Sequence, residues 1–313
     1  MPRRAVVIAA ALSAGSLLIL LSAPAQYFGR QQDDLLYVLA SQALAQGHYR
    51  LLTAVGRPLA FANPGLPALL LPLSWLWPER LGCYQLFILL LQAAIPWAVY
   101  AWASRRLAKA EAVLIALLCA AHPLLLSQAG VVMSESPYLL GMLAMLWTLD
   151  RAGRGASART SAWLLALTQL RPAGLSLVPA AVAGFTRRRR WKEAAWVLAP
   201  TAAAGVVWIA WSYRMTNSVQ EIDELRLSYS SGHGLDLLAV ALDNSRYYAA
   251  ALGAAFLPAR WAGTGAAPCA GAALMASAAW GSARALRRRP AAAAALALAG
   301  TAGMHAVWAW QYE

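Results

Sequence analysis

Residues 161–193 read SAWLLALTQLRPAGLSLVPAAVAGFTRRRRWKE, and this stretch decides what kind of molecule the chain forms. From Ser161 to Phe185 it is apolar, broken in the middle by Arg171-Pro172 and closed by four arginines, Arg187 to Arg190. Proline removes a backbone donor and disfavours helix at the preceding residue, so the pattern predicts two short helices meeting near one face. An arginine at membrane depth costs about 3 kcal/mol unless it is paired or hydrated. Arg171 therefore either snorkels to the outer surface or faces a functional cavity.

The rest of the chain repeats this alternation of apolar run and basic punctuation. Of 313 residues, 60% are hydrophobic and only 12% are charged, where a soluble domain has about 45–50% and about 25%. So few charges cannot coat a water-soluble surface, and a disordered chain needs the opposite balance. Apolar runs long enough to cross a bilayer, or nearly so, cover Ala5–Ala23, Leu81–Trp102, Ala112–Ser127, Pro137–Leu149, the broken Ser161–Phe185, Ala194–Trp211, Gly263–Ala283 and Ala291–Trp310. This predicts an all-α, polytopic transmembrane helix bundle of about nine crossings, two of them short, forming one domain over residues 1–313. Ala23-Pro24-Ala25 has the small-x-small look of a signal-peptidase site. The first run exceeds the 7–15 residues of a signal peptide, so a retained anchor is expected.

The charges sort by side. The formal net charge is +13, which alone would suggest nucleic acid. Yet 17 of the 26 Lys and Arg residues fall in alternate connections together with only Glu111, Asp150 and Glu193. Lys and Arg accumulate on the cytoplasmic side, so the charge reads as topology: N-terminus cytoplasmic, carboxylates outside, no nucleic-acid partner. Cys83, Cys119 and Cys269 lie in or beside apolar stretches and imply neither a disulfide framework nor a zinc site. The four histidines are scattered without metal-ligand spacing. Phosphate-cradling glycine loops, dinucleotide fingerprints and serine nucleophile elbows are absent from the sequence.

Two outer segments are large, 24–80 and 213–262, and a short one surrounds Ser134-Glu135. The first opens with Gln31-Gln32-Asp33-Asp34-Leu35-Leu36-Tyr37 and continues with apolar residues at helical spacing to Gly47. It predicts an amphipathic helix at the membrane surface, ended by that glycine. Asp33 and Asp34 occupy its first turn, where a helix dipole favours negative charge. They serve either as a helix start alone or as a general base and its partner at the lipid–water boundary. After Asn63-Pro64-Gly65 comes an apolar run of about ten residues, too short to cross and read as a helix dipping into the interface. Glu135 opens the fourth run, either as a cap or as a second outer carboxylate.

In this order the motifs look familiar. Asp33-Asp34-x-x-Tyr37, a helix ending Gly47-His48-Tyr49, then Asn63-Pro64-Gly65-Leu66-Pro67, Ser134-Glu135 and Leu170-Arg171-Pro172-x-Gly174-Leu175 together resemble the GT-C class of integral-membrane glycosyltransferases. The nearest likeness is to the bacterial protein O-mannosyltransferase and aminoarabinose-transferase group (glycosyltransferase family 39-like), over residues 1 to about 215. The resemblance implies an inverting transfer of a sugar from a polyprenyl-phosphate carrier to an acceptor hydroxyl on the outer face of a bacterial-type inner membrane. It implies Asp33 as general base and Asp34 as the residue orienting the acceptor or, in metal-using branches, a divalent cation. Glu135 matches a second outer acidic position and Arg171 the arginine between the short helices. Arg57, Arg171 and Arg246 are the candidates to hold the lipid phosphate. The late Arg-Tyr-x-x-Pro segment common in the family is absent, although Arg246-Tyr247-Tyr248 lies in the second outer segment; the chain reads as a short member or a fragment. A transporter or flippase of lipid-linked sugars would place charges along a path through the bundle, and a non-catalytic assembly subunit would need no acidic cluster.

Overall fold

A computed structural model describes residues 2–23, 28, 32–50, 58–59, 63–151, 153, 155–216, 237–257, 259–287 and 292–307. Among them the chain is helical, and its one bridge of β type is the isolated antiparallel pair Arg50 and Pro58. The helices are α1 (Pro2–Ser22), α2 (Gln32–Ala45), α3 (Gly65–Leu76), α4 (Leu81–Ala103), α5 (Lys109–Ala120), α6 (Pro123–Ser127), α7 (Glu135–Arg151) and α8 (Ala156–Leu170). After a 3-10 turn at Pro172–Leu177 follow α9 (Val178–Thr186), α10 (Trp191–Thr216), α11 (Leu237–Phe256), α12 (Ala259–Ala262), α13 (Ala266–Arg287) and α14 (Ala292–Val307). Three helices among the described residues are long and apolar enough to cross a membrane by length and composition: Arg4–Ser22 within α1, then α4 and α10.

The chain divides into two compact units, the first holding residues 1–147 with 169–171 and the second 148–168 with 172–313. In the first, α1 packs on α4 and α5. The Ser16 hydroxyl of α1 donates to the Ala93 carbonyl of α4 (2.6 Å) and accepts from the Trp97 indole (3.1 Å). The run expected to span from Ala112 to Ser127 is interrupted at His122-Pro123, where the proline starts the separate five-residue α6.

Helices α2 and α3 pack on each other. Expected as a one-sided surface helix, α2 instead buries Asp34, Val38, Ala40, Ser41 and Ala43, because its small residues let neighbours approach from several directions. Across this contact the Ser41 and Ser74 hydroxyls are 2.6 Å apart, and the Tyr84 hydroxyl of α4 donates to Ser74 (3.1 Å). Val38, Leu66, Leu70, Tyr84, Ile88 and Val132 form one buried core beneath these helices. As the sequence predicts, α2 stops at Gly47. The Gly47 amide donates to Leu44 and the His48 amide to Ala43, around a glycine φ of 79°, which is a Schellman closure.

In the second unit the apolar run beyond Arg171-Pro172 forms the 3-10 turn and α9, as the proline signal predicts. Within the stretch read as an outer loop, residues 237–256 form the helix α11. Its polar centre, Asp243-Asn244-Ser245-Arg246, interrupts an otherwise apolar sequence and hides the helical run. It packs on α13 through glycine: Gly253 lies against the Ala267 carbonyl and Gly271 against the Ala249 carbonyl.

Candidate functional site

The residues with the sharpest chemistry gather in the first unit, each placed by a neighbour in the buried core. Val38 of that core follows Tyr37, Leu66 follows Gly65, and Val132 precedes Ser134-Glu135. Leu170, packed against the same core, precedes Arg171. Four distant segments are thereby anchored by one apolar cluster, and their polar residues emerge beside it.

Glu135 and Arg171 form an ion pair, with Nη1 2.5 Å from Oε1. The pair is half-exposed, and such pairs contribute about 1 kcal/mol or less. The other carboxylate oxygen of Glu135, Oε2, is shielded from solvent and has no hydrogen-bond partner among the described residues. A buried acceptor without a donor is costly. The arrangement thus offers an arginine held by one oxygen and a second oxygen able to accept a hydrogen bond from a hydroxyl.

Asp33 completes the group from the first turn of α2. The residue is exposed, yet partial burial of its carboxyl, and then the negative charge of Glu135, raise its pKa above the ordinary value of 3.8. Arg171 opposes the rise and Asp34 adds to it. A carboxylate raised in this way is a stronger base than a free one. One turn along α2, Tyr37 hydrogen-bonds through its side chain with Ser134. Burial, and then Asp33, push its phenol up. Tyr49, just past the Gly47 turn, is also pushed up by burial and by Tyr37. Asp33, Tyr37, Ser134, Glu135 and Arg171 are therefore one electrostatic cluster. Tyr37 and Ser134 appear in the sequence motifs, but no local signal there predicts that they bond to each other.

Asp34 takes another course. It is wholly buried, and its Oδ1 accepts the Leu35 amide (2.6 Å). Adjacent helical residues point about 100° apart, so an exposed Asp33 and a buried Asp34 do not present a shared chelating pair. No group of three His, Cys, Asp or Glu side chains suited to a metal ion occurs among the described residues. The Asp33-Asp34 pair by itself therefore offers no two-carboxylate seat for a divalent cation. Arg57 lies outside the described residues. Arg246 belongs to the second unit, where its exposed guanidinium stands 3.5 Å from Asp243 on the preceding turn of α11.

Two further residues act as positioning devices, a role the motifs do not assign although Gly65 lies within one of them. The first is Gly65: a Cβ there would stand 2.5 Å from the Gln169 carbonyl oxygen and the Leu170 nitrogen. Only a glycine lets the start of α3 touch the backbone that presents Arg171. The second is Gln92, buried in the middle of α4. Its amide nitrogen donates to the Gln128 carbonyl (2.7 Å) and its oxygen accepts the Gly130 amide (2.8 Å), clamping the turn that leads to Ser134-Glu135.

A groove of about 570 Å³ also borders α2, lined by Leu35, Leu39, Gln42, Ser74, Trp75 and Leu81 among others. By helical rotation its α2 residues lie on the side opposite Asp33 and Tyr37, so it is not a hollow beneath Asp33. No family model, curated protein or solved structure matches this chain.

Proposed function

We propose that the chain is a membrane glycosyltransferase that moves a sugar from a polyprenyl-phosphate carrier to an acceptor hydroxyl, with inversion at the anomeric carbon. The observation that carries the reading is the cluster of Asp33, Glu135 and Arg171, three segments remote in sequence whose charges act on one another. The membrane character is supported by the three long apolar helices. The bundle of about nine crossings with the cluster on the outer face rests on the alternation of basic connections.

In this reaction Asp33 removes the proton of the acceptor hydroxyl as its oxygen attacks the anomeric carbon. The bond from that carbon to the phosphate oxygen breaks, and the lipid phosphate leaves with the electron pair. Arg171 meets the departing charge with charge-assisted hydrogen bonds. Glu135 Oε1 holds the guanidinium, while the unpartnered Oε2 accepts a hydroxyl of the sugar or of the acceptor. Proton removal by a positioned carboxylate contributes about 10²–10⁴-fold. Arg57 and Arg246 are further candidates for the phosphate. No nucleotide is needed, because the carrier phosphate already makes the sugar a donor.

The test incubates the purified full chain in lipid nanodiscs with radiolabelled polyprenyl-phosphate sugars and candidate acceptors. Label is expected to leave the carrier with the wild type and to stay with Asp33→Asn, whose thermal midpoint is measured alongside. If no donor loses label to any acceptor and none binds, the transferase reading fails. If Asp33→Asn transfers as fast as wild type, the assigned base is wrong.

A further inference from the structure

We propose that Arg187, Arg188, Arg189, Arg284 and Arg287 form a binding surface for the headgroups of anionic phospholipids. The proposal concerns the second unit and stands independently of the transferase reading.

The five arginines come from two helix ends. Arg187 to Arg189 follow α9, and Arg284 and Arg287 lie in the last turn of α13. The two ends meet, since the Arg187 guanidinium donates to the Leu286 carbonyl (3.5 Å). All five arginines are exposed. Their neighbour Arg190 is engaged differently, donating through Nη2 to Glu193 Oε2 (2.5 Å).

Helix C-termini attract cations by themselves, so part of this charge has a purely structural account. Arg189 does not fit that account. Its φ is 58°, the left-handed region that a side chain disfavours and glycine tolerates. The Arg190 amide donates to Phe185 and the Arg189 amide to Thr186 (3.0 and 2.8 Å), the closure in which glycine is the preferred residue. Arg187 and Arg188 already supply cations to this helix end. An arginine at 189 therefore costs the fold stability and returns only an exposed positive charge.

The surroundings identify what that charge meets. Trp191, Trp196 and Trp280 are 66%, 72% and 66% exposed, and the Arg284 guanidinium sits 5.3 Å from the Trp280 ring centre. Helix α10, long and apolar enough to cross a membrane, begins directly after this basic run. Exposed indoles beside clustered arginines, at the end of such a helix, match the headgroup level of a bilayer. A free phosphate ion would gain nothing from the indoles.

The test uses the full chain in neutral detergent and titrates phosphatidylglycerol, phosphatidylcholine or inorganic phosphate while following the thermal midpoint and bound lipid by native mass spectrometry. Phosphatidylglycerol is expected to bind and raise the midpoint, an effect weakened by high salt, whereas the other two leave it unchanged. Each surface arginine is worth about fivefold in affinity, so Arg188→Gln and Arg189→Gly should each bind phosphatidylglycerol about fivefold more weakly. Arg189→Gly should also raise the lipid-free midpoint by about 2–4 °C. Unchanged lipid affinity in Arg189→Gly, equal binding of phosphatidylcholine, or the same shift with inorganic phosphate would overturn the proposal.

Discussion

Replacing Gly65 by alanine tests whether the backbone contact between α3 and the Gln169–Arg171 segment sets the position of Arg171. The new Cβ would stand 2.5 Å from both the Gln169 carbonyl oxygen and the Leu170 nitrogen, about 0.9 Å short of the 3.4 Å at which ordinary contact begins. Both obstacles are backbone, so no side chain can rotate aside. The segment must retreat by most of that distance, carrying Arg171 with it. A retreat of this size stretches the 2.5 Å Arg171–Glu135 contact to more than 3 Å and weakens it. Overpacking of this kind costs about 1–3 kcal/mol, or about 2–4 °C of thermal midpoint for each kcal/mol in a unit of this size. A misplacement of about 1 Å in a reacting constellation can lower turnover by about 10²-fold. The assay pairs the thermal midpoint with kcat/KM for label transfer, and Gly82→Ala serves as the control. Gly82 has nothing within 4 Å of a new Cβ, and alanine is the better helix former. A Gly65→Ala protein with an unchanged midpoint and unchanged turnover would refute the reasoning.

The charged cluster makes further predictions. Because burial and Glu135 raise the pKa of Asp33, turnover should fall as pH drops through that raised value. Glu135→Gln should move this acid limb to lower pH and Arg171→Gln to higher pH; shifts in the same direction would show that the limb belongs to another group. The linkage sign is that of a carboxyl raised on folding: its ionisation opposes folding, increasingly as pH climbs from 3.8 through the folded value. Asp33→Asn should therefore leave the midpoint at pH 7 unchanged or raised while abolishing transfer, and a large fall would assign Asp33 a structural role. Gln92→Leu strands the buried Gly130 amide, at a cost of about 1–3 kcal/mol, while the Gln128 carbonyl keeps the Val131 amide (3.1 Å). The Gln92→Leu midpoint should fall by several degrees; Gln92→Glu, which when protonated keeps an acceptor for Gly130 and a donor for Gln128, should fall less at low pH than at pH 7, where a buried carboxylate is costly.

Features set by a few adjacent residues were readable in the sequence. The stop at Gly47, the break at Arg171-Pro172 and the helix starting at Glu135 each depend on local backbone chemistry. The juxtaposition of Glu135 with Arg171 is of another kind, since it depends on Val132 and Leu170 sharing a core with residues of α2, α3 and α4. No periodicity records such a meeting. Gln92 shows the same limit from within an apolar run: a single amide there reads as an imperfection, and its role exists only once the 128–130 turn lies beside it. Residues 237–256 failed in the opposite way, because four central polar residues disguised a helix whose partner is found only in three dimensions. At Arg189 the composition suggested topology alone, and the left-handed backbone that makes the residue costly has no signature in the letters.

The seats of Gly253 and Gly271 have a consequence for how the second unit comes apart. Each helix rests a bare backbone carbon on the other's carbonyl, and sliding either by one turn would bring an alanine methyl, of Ala249 or Ala267, into the space a hydrogen now fills. Sliding is barred, so α11 and α13 must separate along their shared length or not at all. Their amides should exchange with solvent as a single cooperative block, with the polar turn at Asp243–Arg246 opening no sooner than the alanines on either side of it.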